Sequence, residues 1–150
     1  MKAEHVNPFI VAVCKIIKDM CMLDLQIGKP VMKGNGYESE NSLIRLGLFG
    51  DLAGEVVLNL DHVTALGIVS KMVMMPVDTI DELGQSAISE LGNMIAGNAA
   101  TIFANSNTII DITPPTYCLG SEYDGDGRQF LSVPFSSEVG DLSIDVFIEE

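Results

Sequence analysis

The sequence predicts an α+β fold in which three helices pack on one mostly antiparallel sheet of about six strands. The predicted elements follow the order helix-β-β-β-helix-helix-β-β-β, which lacks the regular alternation of strand and helix that a doubly wound parallel sheet requires. Short turns containing glycine separate several strands, as in antiparallel hairpins. The length of 150 residues suits one domain, so we predict a single domain over residues 1–150.

Local start signals mark the predicted helices. Asn7 followed by Pro8 predicts the start of the first helix, because Asn accepts hydrogen bonds from free backbone N–H groups and Pro at the first helical position loses no needed bond. Thr79 and Glu82 have the spacing of a capping box, which predicts the start of a long third helix. The second predicted helix covers residues 63–74 and the third covers about residues 80–104.

The strands are predicted from apolar residues that alternate with polar ones or occur in short runs. Gly50 and Gly54 flank a turn and permit the positive φ values that a hairpin needs, so the segments on either side should pair antiparallel. A loop is expected from Gly34 to Ser42. The predicted strands are 25–31, 43–49, 55–60, 110–112, 116–120, 129–135 and 142–148.

The charge balance excludes two classes of partner. Twenty-one acidic and eight basic residues give a formal net charge of −13, which repels the phosphates of nucleic acids and the surface of anionic membranes. A partner with a basic patch is favoured instead. The apolar run near the amino terminus is too short to span a bilayer and no signal-peptide cleavage site follows it. We therefore expect a soluble cytoplasmic protein.

Several common chemistries lack the residues that they need. His5 and His62 are the only histidines, too few for a three-histidine metal site, and neither has the sequence context of a catalytic triad. The three cysteines show no CxxC spacing, so neither a zinc site nor a disulfide framework is indicated. We expect no metal and no cofactor in this chain.

The long third helix has two distinct sides at about 100° per residue. Its predicted buried side contains Leu83, Ala87, Leu91, Met94, Ile95 and Ile102. Its exposed side carries a polar strip formed by Ser86, Glu90, Asn93 and Gly97. Gly97 costs about 1 kcal/mol relative to Ala, and it provides room for another molecule to approach the backbone. The strip is therefore a candidate site, and a merely solvated helix face is the alternative.

The polar strip carries a recognisable motif. The segment Ser86-x-x-x-Glu90-x-x-Asn93, followed by Pro114-Pro115, resembles the signature of the CheC/CheX/FliY family of chemotaxis phosphatases. A single copy of the motif is typical of the CheX branch, whereas CheC carries two. The opening Asn7-Pro8-Phe9 and the turn at 50–54 also resemble CheX, and the resemblance extends over essentially the whole chain.

The resemblance implies an activity and a partner. It implies dephosphorylation of a CheY-like response regulator, whose phosphoryl group is carried on an aspartate. The Mg²⁺ ion that screens this phosphate would belong to the receiver domain of the partner. The resemblance also implies a homodimer, with exchange of C-terminal strands.

The same resemblance gives roles to the polar strip. The amide oxygen of Asn93 would accept a hydrogen bond from the attacking water while its NH₂ group donates toward a phosphoryl oxygen. Glu90 would pair with a lysine of the regulator, because a carboxylate close to a phosphate dianion is repelled. Ser86 and Gly97 would contact the partner around this pair.

Two alternatives remain at this point. Ser86 could be a nucleophile, although the sequence provides no neighbouring base to activate it. The protein could also be a non-catalytic interaction module that docks on a signalling or flagellar-switch protein through the same helix. In that case Glu90 and Asn93 would only make hydrogen bonds to the partner.

Overall fold

The computed structural model describes residues 1–34 and 36–149, in which three helices pack on one face of an eight-stranded antiparallel sheet. This confirms the predicted α+β class. The helices are Ala3–Cys21 (α1), His62–Val73 (α2) and Glu82–Asn105 (α3). The strands are Gln26–Ile27 (β1), Val31–Lys33 (β2), Ser42–Gly50 (β3), Gly54–Leu60 (β4), Ile110–Ile112 (β5), Thr116–Leu119 (β6), Phe130–Ser137 (β7) and Gly140–Ile148 (β8).

The predicted number of about six strands was too low for the described residues. The segment predicted as one strand over 25–31 forms β1 and β2, which both pair with β7. Gly28 and Pro30 separate them, because Pro30 has no N–H group to donate to a ladder. Four strands therefore precede α2 and four follow α3, where the predicted order had three in each place. The four predicted segments after 109 each correspond to a strand, so the additional strand arises in the first half. Asn35, within the predicted loop after these strands, lies outside the described residues.

The sheet consists of two similar halves. In each half a long helix is followed by two short strands and then by a hairpin, which is β3–β4 after α1 and β7–β8 after α3. The hairpins meet through β4 and β8 at the centre of the sheet. The short strands of each half pair with the hairpin of the other half, so β5 and β6 lie beside β3. The pairing of β6 with β3 places β6 next to the polar strip of α3.

Two of the predicted helix starts were wrong. Helix α1 begins at Ala3 instead of Asn7, and Pro8 is buried within the helix. Helix α3 begins after Asp81, whose carboxylate accepts a hydrogen bond from the backbone N–H of Gly84 at 2.9 Å. Asp81 therefore replaces Thr79 as the N-cap, because Asp also satisfies a free N–H group and lies directly before the first helical residue.

The buried side of α3 also differs from the prediction. Leu83 is 67% exposed, and Ala87, Met94 and Ile102 are only half-buried. Small residues permit the close approach of α3 to its neighbours, and a prediction that favours large apolar residues overlooks them. The buried residues of α3 are Gly84, Ile88, Leu91, Gly92, Ile95, Ala96, Ala99 and Phe103.

Gly92 packs directly against the sheet. A Cβ atom at this position would lie 2.5 Å from Cγ2 of Ile44 in β3. We expect Gly92→Ala to lower the free energy of unfolding by about 1–3 kcal/mol, because the core must move to accept the methyl group. Gly97→Ala is the matched control, since an added Cβ there meets nothing within 4 Å. Equal urea midpoints for the two variants would contradict this packing argument.

Within the described part of the chain, no helix combines the length and apolarity needed to cross a bilayer.

Candidate active site

The polar strip lies on the side of α3 that faces away from the core. Ser86 and Glu90 are exposed, and Asn93 and Gly97 are half-exposed. Their spacing of three or four residues stacks them along the helix. The opposite side of α3 is anchored in the core, where residues such as Leu91 are fully buried. The strip therefore projects from a rigid element.

The functional groups of the strip are available to a partner. Among the residues that the structure describes, no side chain forms a hydrogen bond or ion pair with Ser86, Glu90 or Asn93. The space beyond Gly97 is open, so its lack of a side chain is not required by packing within the described chain. An open glycine beside an unpaired amide and an unpaired carboxylate is the arrangement expected at a docking surface.

A groove of about 450 Å³ runs along one edge of the strip. Its far wall is formed by Pro115 and Tyr117, and the hydroxyl groups of Tyr117 and Ser42 lie 2.9 Å apart in a hydrogen bond. The pairing of β6 with β3 holds this wall in place. The groove is lined by Glu82, Gln85, Ser86, Ser89, Glu90, Pro115 and Tyr117.

The groove joins residues that the sequence identified with residues that it did not. Pro115 was part of the motif, and the structure brings it beside Ser86 and Glu90. Gln85 and Tyr117 were missed. Helical periodicity places Gln85 about 100° around the helix from Ser86 and so does not predict it. No local signal places Tyr117 there, because its position depends on the pairing of distant strands.

The electrostatics of the groove are acidic. Two glutamates line it, and no Lys or Arg does so among the described residues. A phosphate dianion would therefore gain no attraction from this chain and must be stabilised by positive charge on another molecule. The groove also lacks the nucleophile–base pair that covalent catalysis requires, since no histidine lines it. The groove offers two carboxylates and the amide of Gln85, whereas Asn93 and Gly97 lie farther along the strip and do not line it.

A second group of polar residues lies on the sheet face opposite the helices. Glu55 is buried there and accepts hydrogen bonds from Arg45 at 2.8 Å and from the hydroxyl of Tyr123. Burial and the Asp145 carboxylate raise the pKa of Tyr37, whose hydroxyl donates to Asp145 at 2.8 Å. Most of these polar atoms are paired with one another across strands and loops, which indicates a structural role. Oδ1 of the buried Asp145 is an exception and has no hydrogen-bond partner within the described chain.

Residues 1–34 and 36–149 contain no cluster of three or more His, Cys, Asp or Glu side chains that could hold a metal ion.

Three helices on one antiparallel sheet define the class of CheC-like proteins, and α3 of this chain carries the Glu-x-x-Asn pair by which its sequence resembles them. Residues 43–136 match the family model described as "Chemotaxis phosphatase CheX". The chain belongs to the CheX family, which confirms the resemblance found in the sequence.

Curated and solved relatives agree with this family. The CheY-P phosphatase CheX of Thermotoga maritima is 34% identical over 152 residues, covering 100% of this chain and 92% of the relative. CheX of Vibrio vulnificus has a TM-score of 0.86 and 26% identity, with 98% and 100% of the two chains covered. The structure of a CheX-CheY-BeF3-Mg²⁺ complex from Borrelia burgdorferi has a TM-score of 0.83 and 28% identity, with 97% of this chain and 98% of that chain covered.

Proposed function

We propose that this protein is a phosphatase that hydrolyses the aspartyl phosphate of a CheY-like response regulator. The observation that carries the proposal is the unpaired Asn93 amide, held three residues after Glu90 on a helix anchored in the core. The relatives support the same activity, since one is named a CheY-P phosphatase and another was solved with CheY.

The proposed reaction needs a positioned water more than it needs a strong acid. The water oxygen attacks phosphorus, the bond between phosphorus and the aspartate oxygen breaks, and the carboxylate leaves with the electron pair. A carboxylate is a good leaving group, and the water proton passes to the phosphate product. Phosphoryl transfer depends mainly on positioning and electrostatic stabilisation, so the lack of histidine in the groove is no obstacle.

Asn93 is the residue that we assign to this positioning. Its amide oxygen accepts a hydrogen bond from the water, and its NH₂ group donates to a phosphoryl oxygen. A neutral amide can enter the phosphate site without charge repulsion, unlike the carboxylate of Glu90. Holding the water in line converts an unfavourable encounter into a prearranged one, which lowers the entropic part of the barrier.

Glu90 is assigned to docking. One helical turn separates it from Asn93, a rise of about 4.5 Å. An ion pair between Glu90 and a lysine of the receiver would fix the register in which Asn93 reaches the phosphate. Ser86 and Gly97 flank the pair and contribute close contact, for which the open space at Gly97 leaves room.

The metal ion of the reaction belongs to the partner in this proposal. Mg²⁺ is present in the Borrelia CheX-CheY complex, and we assign it to the receiver domain, where it neutralises charge on the phosphoryl oxygens. This chain would contribute no cofactor. We also propose that the protein is cytoplasmic, where it would encounter the phosphorylated regulator.

The decisive experiment follows the decay of a phosphorylated CheY-type receiver, with and without a catalytic amount of this protein. We expect faster decay, with each molecule acting on many receivers. A protein that binds the receiver and leaves its decay unchanged would instead be the non-catalytic interaction module.

The family resemblance also leads us to propose a homodimer. We expect light scattering to give a mass twice the 16.1 kDa of one chain. A mass of 16.1 kDa across the micromolar range would contradict the dimer and leave the proposed catalytic site unaffected.

A further inference from the structure

Leu83 is an exposed leucine in line with the polar strip. It is 67% exposed and lies three residues before Ser86 and seven before Glu90. At about 100° per residue, seven residues bring Leu83 to within about 20° of Glu90 around the helix. Leu83 therefore belongs to the same face of α3 as the proposed docking and water-positioning residues.

The packing of α3 leaves Leu83 free for contact with another molecule. The core side of the helix is formed by other residues, including Ile88 and Leu91, which are fully buried. Ala87 and Met94 follow Leu83 at helical spacing and are half-exposed, but Met94 also packs against the core. Leu83 is therefore the exposed apolar side chain directly beside the polar strip. An exposed apolar residue needs no explanation by itself, but one in line with a proposed docking site is placed to contact the same partner.

We propose that Leu83 is an apolar anchor for the receiver domain. Its side chain would insert into an apolar patch on the receiver whose phosphorylated aspartate is approached by Asn93. The inference rests on the proposed function. It adds a docking contact outside the motif.

The dimensions of the helix allow one receiver to cover both residues. The rise from Leu83 to Asn93 is about 15 Å. A typical protein–protein interface buries about 800 Å² per partner, which corresponds to a patch about 30 Å across. Leu83 and Asn93 therefore lie within a single footprint of ordinary size.

The charges around Leu83 define the surface that fits it. Asp78, Asp81, Glu82 and Glu90 lie on or near this end of α3, and all four are exposed. The complementary receiver face is an apolar patch with basic side chains at its rim. In such an interface a buried apolar residue adds affinity to that of the Glu90 ion pair, whereas the outlying charges of Asp78, Asp81 and Glu82 mainly direct association.

The experiment separates docking from chemistry. The affinity of Leu83→Ala for a receiver activated with BeF₃⁻ and Mg²⁺ should be about 10-fold weaker than that of the unchanged protein, as for an interface anchor. KM for phosphorylated receiver should rise by the same factor while kcat stays within about twofold. Leu83→Met should restore most of the affinity, because methionine retains a similar apolar volume.

Met22→Ala is the matched control. Met22 is 80% exposed and precedes β1, which is at the edge of the sheet opposite β5 and β6. Its truncation should leave affinity unchanged.

Wild-type affinity in Leu83→Ala would overturn the anchor while leaving the proposed function intact. A changed oligomeric mass without a change in receiver affinity would assign Leu83 to contact between copies of this chain. If the receiver binds through Leu83 but its phosphoryl group is lost at the rate of the receiver alone, the anchor would stand and the proposed phosphatase activity would be refuted. Absence of any receiver binding would overturn both.

Discussion

Asn93→Ala is expected to remove the acceleration of receiver dephosphorylation, with kcat falling by about 100-fold or more. The variant removes both the acceptor and the donor that hold the water against phosphorus. Stability should be unaffected, because Asn93 is half-exposed and has no hydrogen-bond partner in the described chain. Affinity for a receiver activated with BeF₃⁻ and Mg²⁺ should change little, since docking is assigned to Glu90 and Leu83.

The chain offers a matched control in α1. Asn7 is exposed and follows Glu4 with the spacing by which Asn93 follows Glu90. The position equivalent to Gly97 is Val11, which is 52% exposed and would obstruct a close approach. We expect Asn7→Ala to turn over phosphorylated receiver at the normal rate. Unchanged turnover in Asn93→Ala would remove the catalytic assignment, and loss of turnover in Asn7→Ala would move it to α1.

Glu90→Lys is expected to weaken receiver binding by about 30-fold or more. Reversing one charge of a docking pair costs about 2 kcal/mol or more, because it leaves the partner's lysine facing a like charge. kcat at saturating receiver should fall much less than in Asn93→Ala. Because the pair acts through charge, added salt should weaken the wild-type complex more than the variant complex.

Asp24→Lys controls for the change in net charge. Asp24 precedes β1 at the opposite edge of the sheet, and its carboxylate is 87% exposed. Both reversals alter the net charge by the same amount, so only the position of the charge differs. If both variants weakened receiver binding equally, the net charge of the protein would govern association, and a specific ion pair at Glu90 would not. Salt-insensitive wild-type binding would contradict the ion pair directly.

The sequence determined the class of the fold, the family and the exposure of the polar strip. Ser86, Glu90 and Gly97 lie at helical intervals, so periodicity alone placed them on one face of α3. The hairpin of β3 and β4 was equally local, since its strands are joined by a short turn. Features with a local cause were predicted because the residues that produce them are neighbours in the chain.

Other features were decided by the tertiary structure. The wall of the groove is formed by Pro115 and Tyr117 only because β6 pairs with β3, about seventy residues earlier in the chain. The orientation of α3 depends on Gly92 fitting against Ile44, a contact that a pattern of large apolar residues does not reveal. With α3 in this orientation Leu83 is 67% exposed, although the sequence had assigned it to the core. Such contacts join distant segments, and their energies depend on shape complementarity that no single segment encodes.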